Sequence, residues 1–552
     1  MTQTSSLLPR LEATAETSRA ITFVGSAGAD GCERVEWAQL HEDARGMAAA
    51  LQARDIGPGS HVALLGATTR PFVTAVQATW LAGGTVVVLP LPMRLGSIED
   101  FVVQTRRLIV HADAQVVVID PQLSEFLDPQ PGDPPIVRVD ELRGAPGGYE
   151  RPADDPDALA ILQFTSGSTA DPKGVMVPHR CIVANHDAAF RGANLDADVE
   201  TFVSWLPLYH DMGLIGLLGA PMTKGVDLVL AAPQDFLAAP ARWMEWMAEF
   251  GGTATAGPNF AYALAARALG RLDRLDLSRW RIALNGAEPI DPAAVESFLA
   301  AGAPHDLDPG AAFCVFGMAE ATLAVTFPEP GTGMQVDTVD QRVLETDRYA
   351  APVDPGTDGS TRRLPRLGRP LDGLHLRVCD PTTGQTMQDR EVGEIELRGS
   401  SISPGYYGNA QASTEARHGD WFRTGDLGYL VDGELVVCGR LKDVIIVGGR
   451  NVFPEDVERA AASVDGIRAG NVIAFGTEGR RGREAVVVVA ETKLDASAAV
   501  RAAVAARVTD AVGVPPENVV LVRPGTLPKT SSGKPQRSLC RRRYLGDELA
   551  PV

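Results

Sequence analysis

The chain has 552 residues, 45% apolar and 22% charged, the balance of a globular protein long enough for several cores rather than one. A formal charge of −19 and a pI near 5.0 argue against a nucleic-acid partner, because binding to a polyphosphate draws much of its affinity from clustered Lys and Arg. No run approaches the roughly 18 to 20 apolar residues of a membrane span, and the start, MTQTSSLLPRLEATAE, lacks the basic-then-apolar pattern of an export signal, so no membrane span and a cytoplasmic location are expected.

In chain order, HVALLGATTRPFVTAVQATWLAGGTVVVLPLP reads as strand, helix, strand, with apolar runs at Val62–Leu65 and Thr85–Leu89 and Gly83-Gly84 as the helix stop. That is a βαβ unit. The alternation returns at DAQVVVIDP, GVDLVLAAP and RIALNGAEP, which predicts an α/β body of largely parallel sheets with function at the strand ends. The polar stretch Asp340–Arg363 has the least pattern and is expected to be a long loop or insertion. From about Leu367 short strands and turns (LHLRVCD, VGEIELRG, GELVVCGR) predict a β-rich subdomain. A boundary is placed at Lys442, giving an N-terminal domain over 1–441 and a small, mobile α+β C-terminal domain over 442–552. The second contains VIIVGG, the helical PEDVERAAASV, the strands NVIAFG and EAVVVVAE, a helix near ASAAVRAAVAARV and a basic tail. From Arg523 to Arg543 that tail carries Lys529, Lys534, Arg537, Arg541 and Arg542 without one acid; alone, such a run reads as a solvated charge cluster. The six cysteines are scattered, with no zinc-like spacing, which fits a reducing compartment.

The strongest local signal is LQFTSGSTADPKG at 162–174, an apolar strand end followed by Thr165, Ser166, Gly167, Ser168 and Thr169, then Lys173. Small hydroxyl residues let backbone N–H and side-chain O–H groups close around phosphate oxygens, and a Lys adds charge. A Ser/Thr/Gly surface turn is the competing reading of this segment alone. It is not a Walker loop, since G-x-x-x-x-G-K-[ST] occurs nowhere in the chain.

Taken with WLPLYHDMGL (205–214), NGAEPI (285–290), FGMAEATL (316–323), WFRTGDLGYL (421–430), GRLKDVIIVGGRNVFPEDVE (439–458) and LPKTSSGKPQR (527–537), the segment resembles the adenylate-forming superfamily of acyl-CoA synthetases, acyl-AMP ligases and peptide-synthetase adenylation domains. The resemblance spans nearly the whole chain. It implies ATP-dependent activation of a carboxylic acid as an acyl-adenylate, with Mg²⁺ and loss of pyrophosphate, and a mobile lid. It further implies that Thr165 to Thr169, with Lys173, hold the phosphates and that Glu320, with Thr165, ligates magnesium. Gly286, Ala287 and Glu288 would lie along adenine, with Phe316, Gly317, Met318 and Ala319 across the ring. Asp426 would take the ribose hydroxyls and Arg440 support ribose or phosphate. Lys534 is the implied catalytic lysine, Lys529 a surface charge, Lys442 the hinge, and His210 the residue orienting the carboxylate at the mouth of the acyl pocket.

WLPLYHDMGL, FGMAEATL and GRNVFPEDVE look closest to the fatty acyl-AMP ligase branch, in which an insertion near 340–363 hinders the lid's CoA-using pose. Ala170 and Ala319 depart from the usual Gly and Thr, removing backbone freedom and a hydroxyl from the phosphate contacts. The acyl pocket, expected from Trp205, Gly213, Leu214, Pro258, Phe260 and Tyr262, is apolar, so a hydrophobic acid is the expected substrate and CoA or the phosphopantetheine of an acyl carrier protein the acceptor. Activation of an amino acid is the alternative. It is disfavoured because Asp211 is the only acid near the pocket that could pair an α-amino group.

Overall fold

The computed structural model describes residues 5–25, 31–91, 98–144, 146–165, 172–354, 360–479, 484–493, 498–530 and 533–549. The βαβ unit forms as its pattern dictates: strand His61–Leu65, helix Arg70–Ala82, strand Thr85–Val88, with the two strands parallel. Gly83 ends the helix at φ +89°, a left-handed cap that suits glycine. Residues 72–82 of the helix are all buried, which explains why its sequence is apolar on every side: it lies inside the main core rather than on the surface.

Two large sheets build the body among the described residues. One has six strands in the order Ile136–Arg138, Val116–Ile119, His61–Leu65, Thr85–Val88, Leu159–Thr165, Lys173–Pro178, parallel except for the last pair. The other has seven, in the order Ala312–Cys314, Ile282–Asn285, Ala254–Gly257, Thr201–Ser204, Asp227–Ala231, Ala20–Val24, Glu33–Glu36, parallel except for the final hairpin. Consecutive strands joined by helices give this arrangement, and its strand ends open toward one cleft. The β-rich part is an antiparallel sheet built on Leu374–Cys379, Gly393–Gly399, Trp421–Val431 and Glu434–Arg440.

The α+β C-terminal domain has its own core. Its sheet, Ile467–Glu478, Glu484–Thr492 and Asn518–Val522, is flanked by helices Pro454–Ala462, Ala498–Val512 and Arg537–Leu545, and the hairpin Ile445–Val447/Arg450–Val452 leads into it. All six cysteines are free thiols. No helix among the described residues is long and apolar enough to cross a membrane.

One expectation needs correction. The stretch 340–363 is not a featureless loop: helix Gln341–Asp347 and strand Thr361–Pro365 occupy its described part, and the strand pairs with Val336–Asp340. The Asp340 carboxylate accepts from Val343 N at 3.0 Å and starts the helix, while Val339, Leu344, Ala350 and Leu364 pack into a satellite core. This segment also grips the C-terminal domain. Arg450 Nε donates to Glu345 Oε2 at 3.1 Å, Asn451 Nδ2 to Glu345 O at 2.9 Å, and Arg362 Nε to Asp456 Oδ1 at 3.1 Å.

Candidate active site

A single cavity of about 2020 Å³ lies where the two large sheets, the β-rich part and the C-terminal domain converge. Its wall includes Thr165, Lys173, His210, Gly286, Ala287, Glu288, Phe316, Gly317, Met318, Ala319, Glu320, Asp426, Arg440, Lys442 and Lys534. These sequence-predicted residues are thus brought together from seven separated segments. Ser166, Gly167, Ser168 and Thr169 lie outside the described residues.

The backbone around these groups is unusual where it must be. Ala287 sits at φ +69° and Thr322 at φ +73°, ψ −56°, the latter a strained state for a β-branched side chain. Thr322 is held by its hydroxyl donating to Ser401 O at 2.7 Å, and Asn185 Nδ2 donates to Ala324 O at 2.8 Å from the helix His179–Gly192. The strain lets the short turn Ala319–Ala321 present Glu320 to the cavity. At Gly317 an added Cβ would stand 2.3 Å from Leu323 O, so only glycine fits beside that turn.

Glu320 accepts from the Tyr406 hydroxyl at 2.9 Å, and the Lys173 ammonium lies 4.8 Å from the centre of the Tyr406 ring. Thr165 and Lys173 are cross-strand partners at the end of the strand pair where the chain passes from one strand to the next. Burial raises the Glu320 carboxyl above its usual range, with the Tyr406 hydrogen bond among the opposing effects. A half-buried carboxylate on the wall of a cavity that Thr165 also lines suits magnesium, which takes few protein ligands and completes its shell with phosphate and water. No cluster of three or more His, Cys, Asp or Glu placed to hold a metal occurs among the described residues.

Asp426 and Arg440 are register partners on adjacent strands, joined by an ion pair of 3.0 Å from Nε to Oδ1. Glu288 instead turns to accept from Phe260 N at 2.9 Å, which fixes the left-handed Ala287 turn. His210 follows a turn in which Gln163 Nε2 donates to Tyr209 O at 2.9 Å, tying it to the phosphate strand. A Cβ on Gly213 would stand 2.2 Å from Pro207 O, so that glycine closes the turn rather than lining a pocket. Burial, reinforced by the charge of Lys534, pulls the His210 imidazole down to about 3, and its buried Nε2 has no hydrogen-bond partner among the described residues. A neutral ring with an unpaired nitrogen remains for a ligand.

Lys534 reaches this site from the C-terminal domain. Its positive charge acts on His210, Asp211, Glu288 and Asp426 at once, lowering the three carboxyls against the upward push of their burial. Lys529 is not a free surface charge: its ammonium donates to Gly470 O at 2.8 Å and Asn471 Oδ1 at 2.9 Å. It also lines the cavity, where its charge acts on Glu288.

The apolar arm of the cavity differs from expectation. Phe260 lines it, but Trp205, Gly213, Leu214, Pro258 and Tyr262 are not in its wall. Trp205 stacks on Phe236 with ring centres 3.7 Å apart, Leu214 is fully buried in the core, and the Tyr262 hydroxyl donates to Leu284 O at 2.8 Å. The arm runs instead beside helix His179–Gly192, past Ala189 and Phe190 to Ala193 and Leu195, with Phe202, Leu217 and Leu264 around it. From Asn185 to Ala193 that helix climbs ~12 Å, long enough for an extended alkyl chain. The residues Met212–Gly219 form a π-helical turn along this arm, a local widening common at functional sites. Tyr406 and the arm-lining residues of this helix were not singled out from sequence. The first follows an unremarkable Pro-Gly turn; the others look like ordinary amphipathic core.

Fold and site together define an enzyme that activates an acid through its adenylate. Residues 11–407 match the AMP-binding enzyme family, and the chain belongs to it. A Mycobacterium tuberculosis protein named as a ligase, Rv1013, is 43% identical over 519 residues, 92% of this chain and 94% of that protein. The long-chain fatty acid AMP ligase FadD26 of Mycobacterium bovis is 34% identical over 569 residues, 96% of this chain and 95% of that protein. The medium-chain fatty acid [acyl-carrier-protein] ligase JamA of Moorena producens is 32% identical over 540 residues, 93% and 90%. Among solved structures, one from a study of fatty acyl-adenylate ligases of E. coli and L. pneumophila superposes with a TM-score of 0.91 at 30% identity, covering 99% of this chain and 98% of that one.

Proposed function

We propose that this chain converts a fatty acid to its acyl-adenylate and then passes the acyl group to the phosphopantetheine thiol of an acyl carrier protein. The observation that carries the first step is the meeting, in one cavity, of Lys534 from the C-terminal domain with Thr165, Lys173, His210, Glu320 and Asp426 of the body. On this reading residues 1–441 are the nucleotide-binding body, 442–552 the lid, and Lys442 the hinge.

The acid's alkyl chain fills the arm beside Ala189 and Ala193, which places its carboxylate near the neutral His210. Asp426 takes the ribose hydroxyls, with Arg440 beside it, and the Gly286–Glu288 turn faces Phe316 across the adenine. Lys534 bridges the carboxylate and the α-phosphate, reducing the repulsion between two anions that must approach. One carboxylate oxygen attacks the α-phosphorus, the bond to the β-phosphate oxygen breaks, and pyrophosphate leaves. Thr165 and Lys173, with Ser166 to Thr169 between them in the chain, would hold the departing phosphates. Glu320 and the Thr165 hydroxyl would hold a divalent cation, whose charge would offset that of the phosphates.

Two things support a carrier protein over free CoA. JamA, by its name, acts on an acyl carrier protein. The segment 336–365 also holds the C-terminal domain through the buried Arg362–Asp456 contact and the Glu345–Arg450–Asn451 cluster, which opposes the lid rotation that CoA transfer would use. Amino-acid activation is disfavoured because the described residues named along the arm, Ala189, Phe190, Ala193, Leu195, Phe202, Leu217 and Leu264, offer no carboxylate to pair an ammonium. The test is mass spectrometry of products formed with ATP, Mg²⁺ and a panel of fatty acids, offered CoA or a phosphopantetheinylated carrier protein. Acyl-adenylate with no acyl-carrier product, alongside acyl-CoA, would overturn the choice of acceptor; absence of any adenylate would overturn the whole reading.

A further inference from the structure

The guanidinium of Arg537, three residues beyond Lys534, meets three carboxylates. Nη1 stands 2.9 Å from Asp443 Oδ2, Nη2 stands 3.0 Å from Glu455 Oε1 and 2.8 Å from Glu458 Oε2, and Nε donates to Glu458 Oε1 at 2.9 Å. None of the four side chains is more than 14% exposed. Glu458 also accepts from Ala474 N at 3.0 Å, which fixes it to the central sheet of the domain. Asp443 directly follows Lys442. One planar fork therefore ties the Lys534 loop, the helix Pro454–Ala462 and the first residue beyond the hinge into a single unit.

The loop bearing Lys534 is closed by its own backbone, with Gln536 N donating to Pro528 O at 3.0 Å. Lys534 N donates to Thr530 Oγ1 at 3.1 Å and Thr530 N to Lys534 O at 2.9 Å, contacts inside the loop itself. Lys529 anchors its start at Gly470 and Asn471. Arg537 anchors its end.

We propose that Arg537 is the positioning residue for Lys534, transmitting the orientation of the hinge segment through Asp443 to the lysine that bridges the carboxylate and α-phosphate. This rests on the role given to Lys534 above. Lysine cannot replace it, since a single ammonium reaches three carboxylates on two sides only by abandoning one, and loses the fixed fork. The loop then wanders, and a misplacement of about 1 Å costs up to ~100-fold in a step that depends on alignment.

The experiment is a double-mutant cycle on adenylation, read as pyrophosphate release by the full chain with a fatty acid, ATP and Mg²⁺. Arg537→Lys is expected to lower kcat by ~10- to 100-fold with KM for ATP unchanged, since it touches no nucleotide-binding group. In the Lys534→Ala background the same substitution is expected to change nothing further. Losses that multiply in the double variant would show that Arg537 acts by supporting the fold at large and would overturn the proposal. Full activity of Lys534→Ala would instead remove the role of Lys534 itself, a failure distinguishable from the first. If Arg537→Lys does not fold, Asp443→Asn carries the same cycle, because it keeps the arginine and breaks only the link to the hinge; it too must lose its effect once Lys534 is absent.

Discussion

Arg362→Met tests whether the C-terminal domain is latched. Arg362 is 3% exposed and Asp456 7%, and the arginine also donates to Cys438 O at 2.8 Å and lies 4.3 Å from the Phe453 ring centre. Removing one partner of a buried ion pair costs about 3–5 kcal/mol, because the other charge stays desolvated. Here the lower end applies: Arg459 remains 3.5 Å from Asp456, and Arg362 Nη1 already lacks a partner, so the wild-type contact is imperfect. A loss of about 3 kcal/mol moves the balance between held and released lid by roughly a hundredfold. Methionine fills the arginine's apolar stem volume, which limits collapse of the satellite core. The assay pairs pyrophosphate release with thioester formation on free CoA. Release of the lid is expected to slow adenylation and to raise transfer to CoA. Unchanged rates of both, in a variant that melts normally, would refute the latch.

Lys534→Ala should cut pyrophosphate release by ~100-fold or more while ATP binding, followed by calorimetry, is kept. Ala189→Trp should abolish activity with long fatty acids and spare short ones, since the indole would fill the arm beside helix His179–Gly192; equal loss across chain lengths in the pyrophosphate assay would show that the chain lies elsewhere. The buried neutral histidines set an acid limit. His210 is pulled to about 3 and His179 and His186 to about 4, all by burial, against 6.5 when unfolded. Between those values the unfolded chain binds protons that the folded chain refuses, so their contribution to stability is full above pH 6.5 and is lost as pH falls toward about 4 and then 3. Thermal unfolding across that window should show a steadily falling melting temperature, with a shallower slope in His186→Asn.

Parts of this were legible in the sequence for a physical reason. A buried helix between parallel strands must be apolar throughout, so Arg70–Ala82 and its flanking strands announce themselves by composition and a glycine stop. The cavity residues were legible because the short segments that carry them, such as NGAEPI at 285–290, resemble those of a known superfamily in the same order; the left-handed alanine that shapes that turn was not legible. The segment 340–363 hid its helix because seven residues give barely two turns of periodicity and half its face is occupied by Asp340, Glu345 and Asp347. Glu345 looks like a surface acid and is fully buried against Arg450. The apolar arm departs from the sequence expectation for a different reason. Its wall is drawn from one side of a helix, one strand and a π-helical turn, whereas Trp205 and Tyr262, the conspicuous aromatics nearby, spend their rings on the core.

The distribution of charge ties the two halves of the molecule to the order of the reaction. Asp211, Glu288, Glu320 and Asp426 all have carboxyls raised by burial, and of the body's cations Arg440 offsets Asp426 and Glu320. ATP adds further negative charge to the same space, so the state before chemistry is the one in which a lysine brought by the lid is most strongly held. Once pyrophosphate departs, much of that charge is gone while the acyl-adenylate stays. A ligand shifts a conformational balance only by its difference in affinity for the two states. On the proposed reading, loss of pyrophosphate weakens the pull on Lys534 without disturbing Arg362 or Glu345, so the lid's movement after adenylation would be set by how firmly Glu345 and Arg362 hold it, and the choice of acceptor would be made outside the cavity where the adenylate is formed.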